Sequence, residues 1–290
     1  MDNQKQQIVV LCFITTFFIL VCTSNPIFKD EDSSSQRIVE GKIRLSDNAS
    51  PESIFVWLES LDISTYTDEE GAFSLQLPPL QSQPGGGLSG EYNIYYYVGN
   101  YALASSSLVL QDGSILYEAG DVDSEGNIDE TVVLRKLLNI KTEINLPTIK
   151  ETDSLRLVIT VILDPQGDPV EVETMKSPDD WLTRMIFKEI DESIDEADLY
   201  AAGGQWITQL IRGRTIWKIG VKAWWLSPRP YLTLEPGVYD IIPYLYAARD
   251  DLPNDLIKAI AANANMFDTD YLKIPFRRDL GHLTVIRPTN

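Results

Sequence analysis

From Arg37 onward the chain is written in short runs of period two, separated by turn residues. Ile38 to Leu45 alternates apolar and polar side chains until Ser46-Asp47-Asn48-Ala49-Ser50-Pro51 breaks the pattern. Ile54-Phe55-Val56-Trp57-Leu58 is apolar throughout, the form of a buried strand. Thr67-Asp68-Glu69-Glu70-Gly71 is a turn, and Ala72 to Leu77 alternates again. A Pro/Gly loop from Pro78 to Gly87 leads to the aromatic, strand-prone Tyr92 to Val98. Further runs occur at Ala102 to Leu110, Ser114 to Tyr117 and Thr131 to Leu138. Many short strands with Gly/Asp turns between them predict a mainly β protein that opens with a β-sandwich over 37–147.

The second half begins in the same style and then changes. Leu155 to Leu163 is a long apolar run closed by Asp164-Pro165-Gln166-Gly167-Asp168-Pro169-Val170. Ser177-Pro178-Asp179-Asp180 has the composition of a helix start, with a capping Ser, Pro at the first position and acids at the positive dipole end. Trp181, Leu182, Met185, Ile186 and Ile190 recur at helical spacing, and Leu256, Ile257 and Ile260 do so further on. The pattern predicts a second β-rich domain over 148–290, of α+β type, with helices near 178–211 and 253–266.

The amino terminus carries different information. Ile8 to Val21 is an apolar run of export-signal length, too short for the roughly 20 residues of a membrane span. The small, polar Cys22-Thr23-Ser24-Asn25-Pro26 comes next, so a signal peptidase could cut after Ser24. Ile19-Leu20-Val21-Cys22 also resembles a bacterial lipoprotein box with Cys22 as lipid acceptor, although Val21 stands where that box has a small residue. Secretion, lipidation at Cys22 and an uncleaved anchor all remain open, and each exports the chain beyond residue 24. Residues 25–36 are a polar, Ser-rich tether. The membrane is touched only through the leader or a lipid.

The order of the early pieces resembles a known family. Val39-Glu40-Gly41-Lys42-Ile43, the Ile54–Leu58 run, Tyr66-Thr67-Asp68-Glu69-Glu70-Gly71-Ala72-Phe73 and Tyr92-Asn93-Ile94 are similar to the carboxypeptidase regulatory-like domain. Its most specific fragment here is Thr67 to Phe73, matching the family's T-D-x-x-G-x-F hairpin. The turn after Leu163 and the segment Leu234-Glu235-Pro236-Gly237-Val238-Tyr239-Asp240 are similar to further pieces of the same family. The resemblance implies a transthyretin-like sandwich, clearest over 37–140, of a fold grouped with carbohydrate-binding-like sandwiches. It also implies an accessory rather than a catalytic role.

Composition narrows the function classes. Lys+Arg number 24 against 43 Asp+Glu, a formal charge of −19, which disfavours nucleic acid as partner. The two cysteines, Cys12 and Cys22, both lie in the leader, so the exported body cannot form an internal disulfide. His282 is the sole histidine, and no Gly-x-Ser-x-Gly elbow occurs. The acids between Glu189 and Asp198 are expected on a solvated helical face. Asp121-Val122-Asp123-Ser124-Glu125-Gly126 resembles the start of a calcium loop, with Asp121, Asp123 and Glu125 as ligands, but Val132 stands where the bidentate acid belongs. Calcium is the one cofactor the sequence suggests.

Aromatics crowd the second half: Trp206, Trp217, Trp224, Trp225, Tyr231, Tyr239, Tyr244 and Tyr246. Alternation sends Trp217, Ile219 and Val221 to a core face, leaving Trp224 with Tyr231 as the candidate sugar-stacking pair. The expected function is a non-catalytic exported surface or envelope protein acting in adhesion, structure or presentation of a protein or glycan ligand. The alternatives are a carbohydrate-binding module and a hydrolase built on paired carboxylates.

Overall fold

A strand with no polar side chain must be covered on both faces, and Phe55–Leu58 shows how this chain does it. The computed structural model describes residues 37–150, 156–222 and 234–287. There, Ile54, Val56 and Leu58 point into the core of a first sandwich, while Phe55 and Trp57 point out of it into a second apolar cluster. The two-faced strand is the hinge on which the architecture turns.

The described residues form nineteen strands. In the first half these are β1 (Ile38–Leu45), β2 (Phe55–Leu58), β3 (Ile63–Tyr66), β4 (Ala72–Gln76), β5 (Gly90–Tyr97), β6 (Ala104–Gln111), β7 (Ser114–Gly120) and β8 (Val132–Leu134). Sheet β4-β1-β8 packs on sheet β3-β2-β5-β6-β7 around Val39, Ile43, Phe73, Tyr96 and Leu108. The second half supplies β9 (Leu138–Ile144), β10 (Thr148–Lys150), β11 (Arg156–Pro165), β12 (Val170–Lys176), β13 (Arg184–Glu189) and β14 (Asp198–Ala201). It continues with β15 (Gln205–Ile211), β16 (Thr215–Lys222), β17 (Gly237–Pro243), β18 (Leu245–Ala247) and β19 (Gly281–Ile286). These make three sheets, β16-β11-β9, β10-β19-β17-β13-β14 and β15-β12-β18, around a core that includes Leu157, Val161, Phe187, Trp217 and Tyr239. The protein is mainly β, as the alternation predicts.

The strand at 138–144 pairs with β11 from Ile144↔Ile159 to Leu138↔Pro165, so it belongs with the sheets of the second half. Three expectations are corrected. No helix occupies 178–211. Ser177 does accept a hydrogen bond from Trp181 N–H (3.2 Å), but Asp180 sits at φ 64, where a right-handed helix cannot continue. The chain turns there and enters β13. Met185 and Phe187 face one cluster and Ile186 another, so a strand covered on both sides mimics helical spacing. Glu189 ends β13 and Asp198 begins β14, and the acids between them lie on a turn and a short 3-10 segment (Ile194–Glu196), not on a helical face. The helix expected over 253–266 is only α1, Leu256–Ile260, followed by turns.

The Thr67–Phe73 hairpin is built as its residues dictate. Asp68 Oδ1 accepts from the N–H groups of Glu70 (3.0 Å) and Ala72 (2.8 Å), and Phe73 enters the core. Gly71 has φ 79, and a Cβ there would lie 2.1 Å from the Ile43 carbonyl oxygen. Gly71→Ala is therefore expected to destabilise by at least about 2 kcal/mol, measured by urea unfolding.

The outer cluster joins the two halves. Phe55, Trp57 and Tyr97 from the first sandwich pack with Ile186, Ile242, Tyr244, Leu256, Tyr271 and Ile274. Polar groups fasten the same junction. Asn100 is fully buried, and its Nδ2 donates to the carbonyls of Leu138 (2.9 Å) and Arg277 (2.7 Å). Its Oδ1 accepts from Arg277 N–H (3.0 Å). Gly99 N–H donates to the Pro275 carbonyl (2.7 Å), an approach that only a residue without a side chain allows, because a Cβ would lie 2.5 Å from the Phe276 ring.

Candidate functional site

The acids expected to bind calcium lie in a hairpin. Asp123 Oδ1 accepts from the N–H groups of Glu125 and Asn127, both at 2.8 Å, and Gly126 has φ 91. This is the bonding pattern of Asp68-Glu69-Glu70-Gly71-Ala72 repeated at Asp123-Ser124-Glu125-Gly126-Asn127. These backbone bonds hold the Asp123 carboxylate below the usual carboxylate range, that from Asn127 most strongly. Asp121 Oδ2 accepts from Ser107 N–H (2.7 Å). Among the described residues no group of three or more His, Cys, Asp or Glu side chains could hold a metal ion. The likeness to a calcium loop comes from turn chemistry, since an Asx turn and an EF-hand both want Asp early and Gly at the bend.

Trp224, Tyr231 and Cys22 lie outside the described residues. His282 is largely exposed, and its Nδ1 pairs with Asp240 Oδ1 (2.8 Å) across the β17–β19 ladder. Trp217 is buried, as the alternation requires, with the enclosed Lys176 ammonium 4.3 Å from its ring centre. Among the described residues no helix is long and apolar enough to cross a membrane.

The structure gathers chemistry elsewhere, on the outer face of sheet β15-β12-β18. In β12 the residues Val170, Val172 and Thr174 face the core, so Glu171 and Glu173 face outward. Register places Glu173 between Thr208 on β15 and Tyr246 on β18, and directly opposed residues share a face. Trp206 lies two residues from Thr208 on that same face and is 45% exposed, a large fraction for an indole. Its ring meets Tyr244 at 6.0 Å and Tyr246 at 6.3 Å between centres, which fixes its plane. Together with Asp250, Ile257 and Asn265 from the segment after β18, these side chains enclose a cleft of about 400 Å³. Tyr97 of the first sandwich also lines it, so both halves build the site.

The rim is held rigidly. Tyr246 Oη donates to the Ala264 carbonyl (2.7 Å), and burial with the neighbouring Tyr244 hydroxyl pushes it far above the usual phenol range. Arg249 donates to the Tyr101 carbonyl and to Asp251, with Nε 2.8 Å from Asp251 Oδ1. The guanidinium holds the Asp251 carboxylate below its usual range. Arg249 is thus engaged, whereas Glu171, Glu173 and Asp250 have no cationic partner among the described residues. Glu173 accepts only a long hydrogen bond from Thr208 Oγ1 (3.4 Å). The arrangement can stack a flat apolar surface on Trp206 and accept hydrogen bonds from its edges.

A second hollow, about 530 Å³, runs along the junction and carries Lys188, Lys273, Arg277 and Arg278. Its cations serve the fold. Arg277 donates to the carbonyls of Ser50 (3.0 Å) and Glu52, and Lys273 pairs with Asp270 (2.7 Å).

The Trp206 site draws on residues the sequence displays but does not single out. Trp206, Thr208 and Leu210 alternate with Gln205, Ile207 and Gln209, and Glu171 and Glu173 alternate with valines. That alternation is the available signal, while the pairing of β12 with β18 leaves none.

No family model matches the chain, and no curated protein matches it. Among solved structures, BcpA, the major pilin subunit of Bacillus cereus, aligns at 12% identity over 71% of this chain and 62% of its own, with a TM-score of 0.22. The Bacillus anthracis TIE protein aligns at 6% identity over 88% of this chain and 51% of its own, with a TM-score of 0.21. The chain spans less than two thirds of either protein, and overlap at these scores defines no common fold.

Proposed function

We propose that this chain is a non-catalytic exported binding protein whose β-sandwich and second, β-rich half together present a carbohydrate-stacking cleft at a cell surface or in the envelope. The observation that carries the reading is Trp206, left nearly half exposed on a rigid sheet face and bordered by Tyr246, Glu173 and Asn265. Sugar rings offer flat C–H faces for an indole and hydroxyl edges for carboxylate and amide acceptors, so one cleft of this kind serves both. The apolar run Ile8–Val21 and the small, polar residues after it support export.

Retention on immobilised polysaccharides tests the reading. The native protein is expected to bind at least one of a panel, and Trp206→Ala to lose at least tenfold in affinity while still unfolding in a single cooperative transition. Binding that survives Trp206→Ala, or absent throughout the panel, would contradict it. Release of reducing sugar from a bound polymer would instead establish the hydrolase alternative.

A further inference from the structure

The charge around Trp206 is unbalanced in one direction. Glu171 and Glu173 project from β12 on the outer face, and Asp250 also lines the cleft, all without a cation among the described residues. The one cation lining the cleft, Arg249, is bound to Asp251 and to the Tyr101 carbonyl. The aromatic faces of Trp206 and Tyr246 add the negative side of their quadrupoles to the same space. The chain's formal charge of −19 reinforces that potential. A cleft so lined favours positive charge and opposes an acidic glycan.

We infer that the ligand of this cleft is an amino sugar with a free, protonated amine, in an oligomer or polymer of 2-amino-2-deoxyhexose units. The inference rests on the carbohydrate reading and narrows it. The sugar ring stacks on Trp206, and its ammonium group sits against Glu173, with Glu171 or Asp250 receiving a neighbouring unit. The ammonium donates charge-assisted hydrogen bonds that a hydroxyl or an acetamide cannot match. The sheet suits such a polymer: Glu171 and Glu173 are two residues apart on one strand, about 6.6 Å along it, so successive carboxylates can meet successive amines.

Calorimetric titration of the full chain with glucosamine oligomers of one length, fully de-acetylated or fully N-acetylated, tests this. The free-amine oligomer is expected to bind about tenfold more tightly than the N-acetylated one. Glu173→Gln should reduce that ratio, Glu171→Gln with Glu173→Gln should bring it close to one, and Trp206→Ala should weaken both oligomers. Equal affinity for the two oligomers, abolished by Trp206→Ala, would overturn the amino-sugar inference and leave the carbohydrate reading standing. Binding of neither would overturn the amino-sugar inference, and retention on the polysaccharide panel would still decide the carbohydrate reading. Oligolysine bound as tightly as the amino sugar and indifferent to Trp206→Ala would show charge attraction without a sugar site, and would also overturn the inference.

Discussion

Tyr271→Ala is expected to destabilise the protein by about 3–5 kcal/mol, the range for removing a large buried aromatic. Tyr271 is fully buried where the two halves meet, and its ring packs on Tyr244 (4.9 Å between centres), Tyr246 (5.3 Å) and Phe276 (5.8 Å). Its hydroxyl donates to the Leu245 carbonyl (2.8 Å) and accepts from the Arg278 guanidinium (3.2 Å). Alanine would leave both a cavity and unpaired polar groups. Tyr271→Phe keeps the ring and loses only the hydroxyl, so a loss of about 1–3 kcal/mol is expected. Urea unfolding of the three proteins gives the comparison, and a Tyr271→Ala loss below that of Tyr271→Phe would contradict the packing described. Because Tyr246 leans on Tyr271, the alanine variant should also weaken ligand binding at the Trp206 cleft.

Asn100→Leu should cost about 3 kcal/mol even though the side chains are of similar size. The asparagine donates to two carbonyls and accepts from one amide, all at the junction, and leucine leaves those partners without it. It should also uncouple the halves. The native protein is expected to unfold in one transition, and the variant in two, read by tryptophan fluorescence and circular dichroism. Coincident single transitions in both proteins, with unchanged midpoints, would show that Asn100 does not fasten the halves.

The fold is legible where one face of a strand determines its sequence. Ile38–Leu45, Ala72–Gln76 and Thr215–Lys222 announce themselves by alternation. Asp68 and Gly71 announce their hairpin, because an Asx turn needs those two residue types in those places. Strands covered twice are harder. Phe55–Leu58 reads as buried, but the cover over Phe55 and Trp57 comes from Leu256, Tyr271 and Ile274, far along the chain. The strand at Arg184–Glu189 is covered on both faces too, and its Met185 and Ile186 fall into helical spacing with Trp181, Leu182 and Ile190. At the site, outward residues of β12 and β15 can be picked out, yet their meeting with Tyr246, Asn265 and Tyr97 depends on strand pairing and on the junction, which leave no local trace. The hairpin at Asp123 shows a motif with two physical uses, since an Asx turn and a calcium loop both want Asp early and Gly at the bend.

Hydrogen–deuterium exchange of the native chain, with and without a bound amino-sugar oligomer, tests the placement of the site most directly. Slowed exchange is expected in 171–175, 205–210 and 244–250, with the first sandwich beyond Tyr97 unaffected. Slowed exchange confined to 223–233, or to the sheet formed by β4, β1 and β8, would place the ligand elsewhere and contradict the account of Trp206.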